Sequence, residues 1–296
     1  MSEIFVLFMR VLPRNLLSYA AGWVARLRLP PIVQQQCNRV FVRIFRINMN
    51  EAERSLSTYT SIEDVFGRKL KAGSRSILGS FVSPSDGFLA RSGPIQAGQL
   101  IQAKGLYYQA RELVFGGFEC AEPEPEYTWF TTVYLAPHNY HRVHAPVAGR
   151  LTCIRHLPAS LWPVNLPFVE HLPRLFCRNE RLVFDIRLVD GETNADAGIV
   201  HAVMVGAFNV GRMITPFLPD FATNDWERIK SPRAREFRLN EQKPGGPSLD
   251  LKAGEELGTF LLGSTVVLVL DQRAASRFRP VQAEGNRPIL MGQALS

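Results

Sequence analysis

Three of the six histidines in this 296-residue chain, His138, His141 and His144, fall within the run HNYHRVHAP. Histidine is the side chain that most readily takes and gives a proton near neutral pH. Two further stretches could work with it. Pro84-Ser85-Asp86-Gly87 holds a carboxylate inside a tight turn. GTFLLGSTVVLVL, residues 258–270, sets the hydroxyl of Ser264 after a glycine and at the head of a β-branched apolar run. A nucleophile, a base and an acid are therefore present. A Ser-His-Asp hydrolase built from Ser264, a histidine and Asp86 is one reading, although Ser264 lacks the G-x-S-x-G elbow and precedes a strand rather than a helix. A metal site is not assigned. The spacing H-x-x-H-x-x-H fans three imidazoles around a helix or turns the middle one away on a strand, and no H-E-x-x-H is present. An embedded hydroxyl can instead attack its own backbone. Gly263 has no Cβ, so its carbonyl is open to close approach. With a histidine as base, attack by Ser264 gives an ester through an N-to-O acyl shift, and β-elimination with loss of ammonia leaves a pyruvoyl group. The same residues also read as a plain Gly-Ser turn entering a core strand.

The elements that must position these groups divide the chain at about residue 75. Residues 14–29 place Leu16, Leu17, Ala20, Trp23, Val24 and Leu27 at helical spacing, and Pro30-Pro31 stop the run. Residues 32–47 repeat the pattern, with Val33, Cys37, Val40, Phe41, Ile44 and Phe45 on one side and Arg39, Arg43 and Arg46 on the other. Such helices either pack an apolar stripe on a core or lie in a membrane interface. A third helix is expected over 50–70, followed by a linker at 71–76. Beyond it, β-branched and aromatic runs at 88–90, 100–103, 129–135, 181–189, 199–205 and 266–270 alternate with Gly, Pro and Asp punctuation. Residues 233–250 are polar and read as a loop. The expected class is α+β: a basic helical membrane-association region, 1–75, then a mainly antiparallel β catalytic domain, 76–296, completed by the C-terminal strand.

Charge follows the same division. Residues 1–75 carry 12 Lys+Arg and 5 Asp+Glu, a balance of +7, and residues 76–296 carry 22 of each. The excess suggests an anionic partner for the N-terminal quarter. Its aromatic residues lie within the apolar stripes and are not interleaved with arginine, which favours a membrane surface and disfavours nucleic acid. Four scattered cysteines, without a C-x-x-C pair, point to a reducing compartment. Arg10 and Pro13 follow the apolar patch 4–9 without a small-residue cleavage site, so no signal peptide is expected. The uncharged run 15–25 has about half the length that spans a bilayer as a helix.

PSDG at 84–87, YHRVH at 140–144, FCRNERLV at 176–183 and KAGEELGTFLLGST at 252–265 together resemble the pyruvoyl-dependent, membrane-associated phosphatidylserine decarboxylase family. The resemblance runs in order from about residue 58 to 271, and the N-terminal helices resemble that family's membrane-associating segment. It implies cleavage between Gly263 and Ser264 into a large chain, 1–263, and a small one, 264–296. Asp86, His144 and Ser264 would form the self-processing triad, with Asp86 orienting His144 and His144 deprotonating Ser264. His141 would assist carboxylate placement or protonation of the carbanion. The implied cofactor is a pyruvoyl group derived from Ser264, which forms a Schiff base with the substrate amine, with no metal and no pyridoxal phosphate. The implied partner is phosphatidylserine in an anionic membrane, at the cytoplasmic face of the cell membrane, with phosphatidylethanolamine and carbon dioxide as products. A homodimer is left open, and no nucleic-acid partner is implied. Asn139 departs from the family pattern, where many members carry Asp. The readings from other classes are a non-enzymatic lipid-binding β module on the membrane surface and a Ser-His-Asp lipid hydrolase.

Overall fold

A computed structural model describes residues 7, 9–103, 105–120, 124–189, 196–209, 211–239, 248–261 and 265–296. The expected cleavage pair, Gly263 and Ser264, lies outside the described residues, as does 240–247 of the expected polar loop. In chain order the elements are α1 (Arg14–Arg26), α2 (Pro31–Phe45), a 3-10 turn (Leu56–Thr58), α3 (Ile62–Phe66), β1 (Gly87–Pro94), β2 (Gln99–Ala103), β3 (Leu106–Gln109), α4 (Ala110–Phe115) and β4 (Tyr127–Tyr134). There follow β5 (Arg142–His144), β6 (Gly149–Leu157), α5 (Leu166–His171), α6 (Leu175–Arg178), β7 (Arg181–Val189), β8 (Asp196–Val205), β9 (Met213–Ile214) and α7 (Trp226–Lys230). The chain closes with β10 (Arg235–Arg238), β11 (Asp250–Leu251), β12 (Glu256–Phe260), β13 (Thr265–Asp271), α8 (Gln272–Phe278) and β14 (Ala283–Ile289).

Among the described residues the main sheet has nine strands in the order β10-β6-β7-β8-β13-β4-β1-β14, with β11 also on β6, and its pairs are antiparallel. β13 lies near its middle, bonded to β8 on one side and β4 on the other. Val266, Leu268 and Leu270 enter one core cluster, and Val267 and Val269 enter the other. Burial on both faces explains why this strand reads as an unbroken apolar run, where a half-exposed strand would alternate. A smaller antiparallel sheet, β5-β12-β9, adds Val143, Leu257 and Phe260 to the first cluster. α4, α5 and α6 and the β2-β3 hairpin cover the opposite face through Leu113, Phe168, Phe176 and Leu100. Each such side chain contributes about 1.5–3 kcal/mol when fully buried. The α+β class is as expected, and each of the six apolar runs lies on a strand.

α1 and α2 bury their polar and small residues. Ser18, Gly22 and Ala25 face inward on α1, as do Gln34 and Asn38 on α2. Gln34 Nε2 donates to Asn38 Oδ1 at 2.8 Å, and Asn38 Nδ2 donates to the Tyr59 carbonyl at 2.9 Å. Asn15 Nδ2 donates to the Ala159 carbonyl at 2.8 Å, and Arg14 lies 3.7 Å from the Trp162 ring centroid, which fastens α1 to the β region. The apolar stripes point outward: Leu16, Leu17, Trp23 and Val24 are exposed on α1, and Val33, Val40 and Ile44 on α2, with Ile32 at 80%.

Two expectations need correction. The helix expected over 50–70 is present only as the Leu56–Thr58 turn and α3. The hydroxyl-rich run 55–61 competes for backbone hydrogen bonds; Ser61 caps α3 by accepting from Asp64 N at 3.0 Å, and Ala52 pairs back with Leu70. The expected loop 233–250 contains an edge strand, β10, whose register pairs Phe237 with Ile154 of β6.

Candidate active site

His144 ends β5, which is hydrogen-bonded to β12. Its Nδ1 lies 2.8 Å from the Gly254 carbonyl oxygen. A carbonyl only accepts, so Nδ1 carries the hydrogen and the Nε2 lone pair faces the Tyr140 hydroxyl, which donates at 3.0 Å. Burial lowers the pKa of this imidazole, opposed by its bond to Gly254 and by the charges of Glu256 and Asp86. Burial also holds the Tyr140 phenol well above its ordinary value, so it remains a donor. Gly254, at φ +87°, sits where a Cβ would meet Ile77 at 2.4 Å. The turn that presents its carbonyl therefore requires glycine.

Asp86 is brought beside this strand because the Pro84 carbonyl accepts from His144 N at 2.8 Å. A Cβ on Gly87 would lie 2.3 Å from the Tyr134 carbonyl, so the PSDG turn presses directly on β4. The Asp86 carboxylate, 4% exposed, does not meet the imidazole directly. It accepts from Arg75 Nε at 2.9 Å and Nη2 at 2.5 Å and from Met291 N at 2.9 Å. Arg75 also donates to Glu51 at 2.9 Å, so the segment 71–76, expected as a linker, is pinned at its end.

His141 is fully buried against Phe66, with ring centroids 4.0 Å apart. Its Nδ1 donates to the Asn139 carbonyl at 2.9 Å, and its Nε2 has no partner among the described residues. Burial pushes its pKa down to about 3, so the ring is neutral and Nε2 is a bare acceptor. The backbone is tied to β12, since Phe260 N donates to the His141 carbonyl at 3.0 Å. Arg142 Nη1 reaches both oxygens of Glu256 at 2.6 and 2.7 Å and locks β5 to β12. The Asn139 side chain accepts from Ala136 N at 2.8 Å and so closes the turn that leads into the histidines.

Leu261 and Thr265 bracket the undescribed 262–264. Leu261 N bonds to the Arg212 carbonyl at 2.9 Å, and Thr265 pairs with Tyr134 and Val205. Thr265 borders a cavity of about 350 Å³ lined also by Gln102, Thr132, Tyr134, Val164 and Phe176. Thus the PSDG turn holds Asp86 beside β5, and the 141–144 segment lies along β12 with His144 opposite Glu256 and the His141 carbonyl bonded to Phe260. Sequence reasoning missed the roles of Tyr140, Arg75 and the Gly254 carbonyl. Only Tyr140 carried a signal, lying four residues before His144. Among the described residues no group of three or more His, Cys, Asp or Glu is arranged to hold a metal ion.

Residues 62–296 match the family model described as phosphatidylserine decarboxylase. The chain belongs to the phosphatidylserine decarboxylase family. It is an enzyme of that type. It is 37% identical over 293 residues to the phosphatidylserine decarboxylase proenzyme of Methylibium petroleiphilum, covering 98% of this chain and 96% of that protein. Proteins of the same name from Myxococcus xanthus, 34% identical with 95% and 94% covered, and Azotobacter vinelandii, 36% identical with 99% and 97% covered, are similar over nearly their whole length. All the residues described above at Asp86, His141 and His144, with Arg75 and Tyr140, lie inside the matched region.

Proposed function

We propose that this chain cuts itself between Gly263 and Ser264 and then decarboxylates phosphatidylserine to phosphatidylethanolamine at a membrane surface. The observation that carries this reading is His144: buried, neutral, fixed by Gly254 at Nδ1, and on the strand bonded to β12, which runs toward 263. Ser264 Oγ passes its proton to His144 Nε2, displacing the Tyr140 hydroxyl, and bonds to the Gly263 carbonyl carbon. The Gly263–Ser264 C–N bond breaks, and the amine takes up the proton. Elimination then passes the Ser264 Cα proton to His144 Nε2 and breaks the Cβ–Oγ bond, which frees the Gly263 carboxylate; the enamine left behind takes a proton at Cβ to become an imine, and water replaces its nitrogen to leave ammonia and a ketone. Asp86 raises the basicity of His144 through its charge and, with Arg75 and Met291, fixes the turn beneath it.

His141 Nε2, a buried acceptor without a partner among the described residues, suits a pyruvoyl group at residue 264, whose substrate brings an amine. That group supplies a ketone able to accept the electron pair left on the headgroup Cα as carbon dioxide departs. His141 Nε2, a bare acceptor in its neutral state, would hold the substrate amine by accepting a hydrogen bond from it. The outward apolar stripes of α1 and α2, flanked by exposed Arg39, Arg43 and Arg46, suit peripheral attachment to anionic lipid at the cytoplasmic face. Among the described residues no helix is long and apolar enough to cross a membrane.

Intact mass spectrometry tests the processing. Wild-type protein is expected as two chains, the smaller with a ketone-bearing N-terminus, and Ser264→Ala as one inactive chain. His144→Gln should slow cleavage about a hundredfold or more, whereas His141→Gln should cleave and then fail to release carbon dioxide from phosphatidylserine. Full cleavage and activity in Ser264→Ala would overturn the reading; cleavage lost in His141→Gln but kept in His144→Gln would exchange the two histidines.

A further inference from the structure

Arg68 follows α3 and is 3% exposed, yet no carboxylate of the described residues forms an ion pair with it. Its Nη2 donates to the carbonyls of His138 and Asn139 at 3.3 and 3.2 Å, while Nε and Nη1 have no hydrogen-bond partner among the described residues. Asp86 and Glu51 lie close enough to act on its charge, but both carboxylates are engaged by Arg75. A buried guanidinium without a counter-charge is costly to the fold, so its retention points to a ligand that supplies one. One neighbour shares the condition. The Asn139 carbonyl that accepts from Arg68 also accepts from His141 Nδ1, and the His141 Nε2 lone pair is unpaired. Unused donors therefore sit beside one unused acceptor, grouped around a single main-chain carbonyl. Gly67, next to Arg68, has Leu261 and Thr259 as close neighbours, which places the group at the end of β12.

We infer that Arg68 is the anchor for the phosphodiester of the headgroup, its Nε and Nη1 forking onto the phosphate oxygens while His141 Nε2 meets the amine of the same headgroup. This inference rests on the proposed decarboxylation. The choice of phosphate over carboxylate follows from the reaction itself. The carboxylate loses its charge as carbon dioxide leaves, so a guanidinium bound to it would stabilise the ground state more than the transition state and slow the reaction. The phosphodiester keeps its charge throughout. A planar fork also matches two phosphate oxygens better than a point charge does.

The test uses the full-length, self-processed protein with Arg68→Met and Arg68→Lys, phosphatidylserine in mixed micelles, and glycerophosphoethanolamine as inhibitor, which keeps the phosphodiester and amine but lacks the carboxylate. Both variants should process fully. Arg68→Met should raise KM, and weaken inhibition by glycerophosphoethanolamine, by about tenfold to a hundredfold, as expected for losing hydrogen bonds to a charged group. Its Tm should be no lower than that of wild type, because an uncompensated buried charge has been removed. Arg68→Lys, which keeps the charge and the aliphatic stem but not the fork, should fall between the two in KM. Unchanged KM and inhibition in both variants, with a lower Tm, would make Arg68 a structural residue and overturn the inference. A higher KM with unaltered inhibition would also overturn it, by moving Arg68 to the carboxylate. Wild-type protein that releases no carbon dioxide would instead count against the proposed function, separately from either result.

Discussion

Acidification should destabilise this protein through His141 before most carboxylates titrate. The ring is fully buried, and its pKa falls from the ordinary 6.5 to about 3, with burial as the main cause. Between those two values the unfolded chain binds a proton at this site that the folded chain does not, so stability falls as pH falls. The contribution of neutral His141 is whole above pH 6.5 and is lost progressively toward about 3. Each pH unit in the window is worth about 1.4 kcal/mol, so moving from pH 6.5 to 5.0 removes about 2 kcal/mol at this one site. His144, also lowered by burial, adds in the same direction. The measurement is urea unfolding of Ser264→Ala, which stays one chain on the proposed mechanism, with and without His141→Gln, at both pH values. The parent should lose about 2 kcal/mol more than the His141→Gln protein, because titration elsewhere cancels in the difference. Equal losses would refute a buried, neutral His141 and with it the acceptor role given to Nε2.

Two further outcomes are expected. Arg75→Met leaves the Asp86 carboxylate buried with Met291 N as its remaining donor, and breaking such a pair from one side costs about 3–5 kcal/mol; urea unfolding at pH 7 should show that loss, Arg75→Met/Asp86→Leu should recover much of it, and a loss under about 1 kcal/mol would count against the buried pair. Trp23→Ser/Ile32→Ser removes two exposed apolar side chains at about 1.5–3 kcal/mol each when buried in lipid; co-sedimentation with phosphatidylserine-containing vesicles should weaken at least tenfold, and unchanged binding would reject the outward faces as the attachment surface.

What was legible in the sequence depended on whether local pattern or tertiary partnership decides the outcome. β13 was legible because Val266 to Leu270 is apolar and β-branched on both faces of a covered sheet. α1 and α2 were legible from their spacing, yet the spacing left open which side faces the protein. Ser18 and Asn38 settled it by pairing inward, Ser18 with Asn209 N and Asn38 with the Tyr59 carbonyl, a matter of what lies opposite them. The helix expected over 50–70 failed because the hydroxyls of 55–61 offered the backbone other partners. At the site, the histidine spacing and the acidic turn stood out by residue type. The Gly254 carbonyl that fixes the His144 tautomer could not, since a main-chain oxygen has no side-chain signature. Arg68 and Arg75 were also hidden. They sit in a stretch whose basic excess reads as surface charge, and only the fold reveals that one is buried with a carboxylate and the other without.

The position of the proposed cut follows from how strands hold a nicked chain. Residues 264–296 would supply β13, α8 and β14 to the structure. β13 is bonded along its length to β8 and β4, and β14 is bonded to β1, so the small chain is anchored in the main sheet at two separate strands. Residues up to 261 stay fixed by β12 in the smaller sheet, through β5 and β9. No strand of the described residues contains the peptide bond between these anchors. A cut inside β13 would instead divide a strand buried on both faces, leaving shortened ladders on each side of the break. On the proposed mechanism, the connection between the sheets is therefore the place where the backbone can be spent as a reagent while the fold persists.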